Sequence, residues 1–244
     1  MDENKSKTEA KNNSIEEARS DTIPDCLRPA IIVDKESYGD YKIIDGAVYS
    51  QDGTRLIYYP PEKRDREYRI PGGVSLSSDA FNDNLYLEEL FIPGNCHVDN
   101  VRIDDDRPNN WRAPYSDGCF YSPIPFGSPN LQSINVSPDN PELSSCGGFL
   151  FSKKKQTLLR CPSGLRTDTY CIPGTVKDLG PNAFSFSKIQ SIVIEGAMRI
   201  GEYCFSDSEI RSVKADNVYA IGGDAFCGCN KLEDAVITGQ ISEI

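Results

Sequence analysis

The sequence predicts a mainly β repeat solenoid, and three observations carry that prediction. Three segments align without a gap and start 21 residues apart: Leu179-Gly180-Pro181-Asn182-Ala183-Phe184, Ile200-Gly201-Glu202-Tyr203-Cys204-Phe205 and Ile221-Gly222-Gly223-Asp224-Ala225-Phe226. Each leads into an apolar triplet with L-x-x-L-x-L spacing: Ile189, Ile192 and Ile194, then Ile210, Val213 and Ala215, then Leu232, Ala235 and Ile237. A longer similarity at an offset of 102 residues matches 45–50 and 56–60 to 147–152 and 158–162. A unit this short cannot bury Phe184 or Ile192 alone, whereas stacked units form continuous apolar ladders.

In chain order, residues 1–25 are nearly all polar or charged and read as a disordered or weakly helical tail, with Ser14 and Glu17 spaced as a capping box. Residues 26–95 read as a hairpin module plus a first repeat. Asp52-Gly53 between two apolar runs is a hairpin signal. The segment from Tyr68 to Val74 reads as a turn, and Leu76 to Phe81 leads into Leu87, Leu90 and Ile92. Residues 96–129 break the period with an aromatic, proline-rich insert holding Trp111, Tyr115, Phe120 and Tyr121. Residues 130–244 read as a second hairpin module plus repeats, truncated at the C-terminus. There Phe126 leads into Leu131, Ile134 and Val136, and the turn at Tyr170 to Val176 matches the earlier one. The unit is thus hairpin, turn and repeat strand, used twice. Ala183, Cys204 and Ala225 share one position where a small side chain is wanted, so Cys204 reads as core. Gly180, Gly201 and Gly222 are expected to serve a tight backbone turn.

The run I-G-x-x-A-F, then five or six residues, then L-x-x-L-x-L and a small-residue turn resembles the BspA-type leucine-rich repeats, also called the Treponema pallidum type. The resemblance covers about residues 41–95 and 126–244. The stretch from Asn140 to Phe184 is similar to the hairpin-bearing connector found between such repeats. The resemblance implies a curved leucine-rich-repeat parallel sheet with two β-hairpin insertions and short irregular or 3-10 convex segments. It also implies kinship with surface-exposed bacterial or protist proteins that bind host or matrix proteins.

Composition narrows the chemistry. The 244 residues carry 37 Asp plus Glu against 26 Lys plus Arg, a net charge of -11 that repels phosphate backbones, so nucleic acid is not an expected partner. No run approaches the ~20 apolar residues of a membrane span. His97 is the sole histidine, which removes most general-base and triad schemes. The 9 cysteines show no paired metal-ligand spacing, and Cys227-x-Cys229 has no second pair. Asp99 with Asp104, Asp105 and Asp106 lacks the D-x-[DN]-x-[DN]-G loop that calcium sites use. No G-x-G-x-x-G or Walker pattern follows a strand. The expectation is no catalytic residue, no cofactor and no metal.

Two surfaces remain as candidates for recognition. The first is the outward positions of the repeat strands: Glu89 and Phe91, Ser133 and Asn135, Ser191 and Val193, Ser212 and Lys214, Asp234 and Val236. Their mixed character suits protein contact. The second is the insert, whose Trp111, Tyr115, Phe120 and Tyr121 offer large area at low entropy cost. The expected function is a non-enzymatic protein-interaction scaffold, adhesin-like if the resemblance extends to biology. Two alternatives stay open: a carbohydrate-binding or enzyme-accessory domain using Trp111, and a structural spacer fragment of a longer repeat protein. The N-terminus carries no secretory h-region, which favours the cytoplasm, while the resemblance favours the cell surface. The apolar ladder end at Ile237, Ile241 and Ile244 lacks a polar cap and predicts end-to-end self-association or a continuing chain.

Overall fold

The computed structural model describes residues 41–77, 80–81, 84–98, 128–196 and 198–241. The expected tail, the four insert aromatics, Asp99, Asp104 to Asp106 and Ile244 lie outside the described residues. The described chain is all strand and turn. It opens with an antiparallel meander, β1 (Tyr41–Ile44), β2 (Ala47–Ser50) and β3 (Arg55–Tyr58). β4 (Glu67–Arg69), β5 (Ser75–Leu76), β6 (Glu89–Ile92) and β7 (Ser133–Val136) follow. A second meander repeats the first 102 residues later: β8 (Leu143–Cys146), β9 (Phe149–Ser152) and β10 (Thr157–Arg160). The chain then alternates between two ladders: β11 (Thr169–Ile172), β12 (Asp178–Leu179), β13 (Ser191–Ile194), β14 (Met198–Ile200), β15 (Ser212–Ala215), β16 (Val218–Ile221) and β17 (Asp234–Ile237).

Each element follows from local chemistry. The β1–β2 turn places Asp45 and Gly46 at φ 49 and 74, and the β8–β9 turn places Gly147 and Gly148 at φ 58 and 84. Two consecutive residues with positive φ match the twist of paired strands. At Asp52-Gly53, the hairpin signal read from sequence, only Gly53 has positive φ (78), and a register shift between Val48 and Tyr49 absorbs the extra residue as a bulge.

The triplet strands form a front ladder of parallel pairs. β11, β13, β15 and β17 lie side by side, with Ile192 beside Val213 and Val213 beside Ala235. β4, β6 and β7 form the matching ladder of the first half. Alternation buries Ile192, Ile194 and Val213 at 1% exposure and turns Ser191, Val193 and Lys214 outward.

A back ladder, absent from the sequence reading, runs through β10, β12, β14 and β16, all parallel. β12, β14 and β16 are the residues just before Gly180, Gly201 and Gly222, and Leu158, Leu179 and Ile200 point from the ladder into the core. Leu76 pairs with Val98 in the same manner, so Cys96 and Val98, at the head of the expected insert, belong to the core. Between the ladders the A-F turns carry no strand, yet they bond coil to coil: Phe184 N donates to Cys204 O at 2.7 Å, and Phe205 N to Ala225 O at 2.8 Å. Their rings stack, Phe184 on Phe205 at 5.3 Å and Phe205 on Phe226 at 5.1 Å between centroids.

The recurrent glycines have a different role from the one expected. Gly180, Gly201 and Gly222 do not adopt positive φ; that burden falls two residues later on Asn182, Tyr203 and Asp224, at φ 57, 50 and 52. What the glycines supply is room. A Cβ on Gly201 would stand 2.7 Å from Leu179 O, and one on Gly222 would stand 2.4 Å from Glu202 N. The coils approach backbone to backbone at this column.

The second meander is a wall between two cores. Phe149, Phe151 and Leu158 face the later core with Ile192 and Phe205, while Leu143, Leu150 and Leu159 face the earlier one with Leu131 and Ile134. Asn140 ties that wall to the coil before it. Wholly buried, its Nδ2 donates to Pro93 O and Cys96 O, each at 3.0 Å, and its Oδ1 accepts from Glu142 N and Leu143 N at 3.0 and 2.8 Å. Asn84 does the same for Pro60 O, Lys63 O, Tyr86 N and Leu87 N.

Candidate recognition face

The outward residues of the front ladder occupy two patches. In the first half, Glu67, Glu89 and Ser133 form one row and Arg69, Phe91 and Asn135 the next. In the second half, Thr169, Ser191, Ser212 and Asp234 form one row and Cys171, Val193, Lys214 and Val236 the other. All ten strand positions expected from sequence therefore lie outward. The tip of the second meander separates the two patches. Gly148 O accepts from Ile134 N at 2.9 Å, and a Cβ on Gly148 would meet Gln132 O at 3.0 Å. Only glycine fits where that tip presses on β7.

Within the first patch the Arg69 guanidinium lies over the Phe91 ring at 3.7 Å from its centroid, a cation–π contact. Ser133 Oγ donates to Asn135 Oδ1 at 3.2 Å, and Asn135 Nδ2 reaches Glu89 Oε2 at 3.5 Å. At the rim Arg66 donates from Nε and Nη2 to the two carboxylate oxygens of Glu88, at 2.7 to 3.0 Å. In the second patch Ser191 Oγ and Ser212 Oγ share a hydrogen bond at 2.7 Å. Its rim is held by Arg211–Glu233 at 2.6 Å and Lys231–Glu209 at 2.8 Å. Lys214, Asp234 and Val236 are exposed, Val236 at 46%. Exposed ion pairs contribute ~0–1 kcal/mol each, so these serve alignment and charge pattern more than stability.

The sequence reading missed Glu67, Arg69, Thr169 and Cys171, since it took Tyr68 to Val74 and Tyr170 to Val176 as turns. The alternation Tyr68-Arg69-Ile70 and Tyr170-Cys171-Ile172, ahead of each Pro-Gly, is the signal that places them on strands.

Several polar groups inside the fold have structural partners. Arg160 is 1% exposed; its Nη1 donates to Asn182 O at 2.7 Å and its Nη2 to Ser163 Oγ at 2.9 Å, and burial lowers its pKa to about 10. Burial pushes the Cys161 thiol up to about 12 and raises Cys204 as well, so both stay protonated and inert as nucleophiles. On the back ladder, burial raises the Asp178 carboxyl to about 6, opposed by Arg199 nearby. Tyr219 Oη donates to its Oδ1 at 3.5 Å while Oδ2 is buried without a hydrogen bond. His97 Nδ1 sits 3.3 Å from Glu142 on the surface. Among the described residues no three of His, Cys, Asp and Glu converge as a metal would require, and no helix is long and apolar enough to cross a membrane.

Stacked coils of about 21 residues with an L-x-x-L-x-L front ladder define a leucine-rich-repeat solenoid. The repeats are of a particular type: residues 163–244 match the BspA type leucine rich repeat region, in 6 copies. The BspA-type match is confined to those residues, and the first half, outside it, shows the same succession of antiparallel meander and parallel repeat strands. No curated protein matches the chain. Among solved structures it is similar to the pneumococcal vaccine antigen PcpA, with 17% identity, a TM-score of 0.51, and coverage of 72% of this chain and 51% of that one. A leucine-rich repeat protein from Eubacterium ventriosum aligns at 16% identity and a TM-score of 0.38, over 70% of this chain and 54% of that one. A leucine rich cell surface protein from Faecalibacterium prausnitzii aligns at 20% identity and a TM-score of 0.37, over 82% of this chain and 40% of that one. The chain thus spans about half the length of these proteins or less.

Proposed function

We propose that the protein is a non-enzymatic protein-interaction scaffold that engages another protein through the front ladder, in an adhesin-like role at a cell surface. The observation that carries this reading is the pair of outward patches, where Arg69 and Phe91, then Val193, Lys214, Asp234 and Val236, stand on strands fixed by coil-to-coil bonds. Aromatic, Arg and apolar groups on a rigid support bind protein at low entropic cost. The BspA type of the repeats supports the surface role, as does the vaccine-antigen description of PcpA, which shares the fold.

The test is binding of the full chain to a panel of immobilised extracellular-matrix proteins. Phe91→Ala and Val236→Lys should each weaken capture by about tenfold or more, as central interface residues do, while Lys177→Ala, exposed just before β12 of the back ladder, should not. Equal binding by all three variants, or by none of the chains, would sink the proposal. Biotinylation of intact cells checks the surface role separately: labelling restricted to broken cells refutes it.

A second reading, end-to-end self-association, has its own observation. Ala235 is exposed although its ladder neighbours Val213 and Ile192 are 1% exposed, and Val236 and Ile241 stand at 46% and 37% beside it. The last described coil presents its inward side chains and an open strand edge. Sedimentation should show concentration-dependent association that Ala235→Arg abolishes; a stable monomer at all concentrations refutes it.

A further inference from the structure

We infer that residues 29–34, Pro29-Ala30-Ile31-Ile32-Val33-Asp34, supply the cover of an apolar face at the head of the solenoid, as the β7 coil covers the second meander. The face is made by the first meander. Its inner side gives Ala47, Tyr49 and Leu56 to the first core. Its other side carries Tyr41 and Val48, packed with Ile43, Ile57 and Tyr58 into a cluster that, among the described residues, is drawn from β1, β2 and β3. Tyr41 and Val48 are nevertheless only 8% and 1% exposed, and the Tyr41 hydroxyl is buried without a hydrogen bond. An outward apolar face held this far from water implies a layer over it.

The second meander shows what that layer is. Tyr41, Val48 and Ile57 correspond, 102 residues on, to Leu143, Leu150 and Leu159. Those three are 1%, 0% and 3% exposed because they pack in one cluster with Leu131 and Ile134 of the β7 coil. The two meanders share their register: Tyr41 opposes Ser50 as Leu143 opposes Ser152. Subtracting the same offset from β7, Ser133–Val136, gives residues 31–34, with Ile32 in the place of Ile134. Ala30 to Val33 is the longest apolar run in residues 1–40. The linker fits too, since Tyr41 follows Asp34 by 7 positions and Leu143 follows Val136 by 7. At the tip, a Cβ on Gly148 would press on Gln132 O at 3.0 Å, whereas no described residue lies within 4 Å of one on Gly46.

The rival occupant is the last coil of a second copy, whose Leu232, Ala235 and Ile237 have the spacing of Leu131, Ile134 and Val136. Hydrogen exchange on the full chain, alongside sedimentation, separates the two. Ile32→Asp should speed amide exchange across β1 to β3 by about tenfold or more, leave β13 and β15 unchanged, and keep the chain monomeric, while Ile32→Val should exchange as the parent does. No change in β1 to β3, or an equal rise throughout the molecule, overturns the inference. Protection of β1 to β3 that is lost on dilution, and lost in Ala235→Arg, assigns the face to a second copy and overturns it as well.

Discussion

Replacing Gly201 by alanine tests whether the coils stack backbone against backbone. The new methyl would stand 2.7 Å from Leu179 O and 2.8 Å from both Gly180 C and Pro181 N, all main-chain atoms that cannot swing aside. Relief requires the two coils to part by roughly 0.5–1 Å, a gap that forfeits a quarter to a half of each dispersion contact across it. The parting acts on the Gly201 N to Leu179 O bond at 2.9 Å and on the Phe184–Phe205 stack at 5.3 Å. Overpacking alone costs ~1–3 kcal/mol, and the loosened seam brings the sum to about 2–4 kcal/mol. Gly223→Ala is the control, since nothing lies within 4 Å of its added Cβ and its φ is not positive; it should be neutral or stabilise by ~0.5 kcal/mol through the unfolded chain. Urea unfolding of both variants reads the difference as a shift in midpoint at constant slope. If Gly201→Ala costs less than ~0.5 kcal/mol, or matches Gly223→Ala, the glycines are not close-approach residues and the stacking described above is wrong.

Two further perturbations test other contacts. Asn140→Ala removes four hydrogen bonds to main-chain groups, two of them buried and two part-buried, and should cost about 3 kcal/mol by the same urea assay, whereas Asn130→Ala, whose amide makes an exposed bond to Leu85 O, should cost under ~1 kcal/mol. Asp178 has a folded-state pKa of about 6, above the ordinary value of 3.8, so folding favours its protonated form. Its contribution is most favourable below pH ~4 and becomes unfavourable as pH rises through 4 to 6. Asp178→Asn should therefore be more stable than the parent by about 2 kcal/mol at pH 7 and indistinguishable at pH 4, as melting curves at the two pH values would show.

Particular residues show how much was legible in sequence. The front ladder was readable because Ile189, Ile192 and Ile194 and their counterparts recur at a fixed spacing, and alternation on a strand assigns one side to the core. The back ladder was not, since Asp178–Leu179 and Ser75–Leu76 are two-residue strands with no alternation to detect. Glycine recurrence located the tight column at Gly201 and Gly222 but not its cause, because a glycine required by a neighbouring backbone looks the same as one required by its own φ. The split of the recognition face was hidden for a similar reason. Gly147-Gly148 marks a turn, yet that this turn lands on β7 is a tertiary fact. The outward residues themselves were legible one strand at a time, and only β4 and β11, disguised by the following Pro-Gly, escaped.

The most direct measurement of the scaffold function is site-specific photo-cross-linking on intact cells, with the reactive side chain placed in turn at Phe91 and Val193 on the front ladder and at Lys177, just before β12 of the back ladder. Recognition by the front ladder predicts that both front positions capture one and the same protein and that Lys177 does not. Capture of that protein equally well from Lys177, or of unrelated proteins from the two front positions, would contradict it.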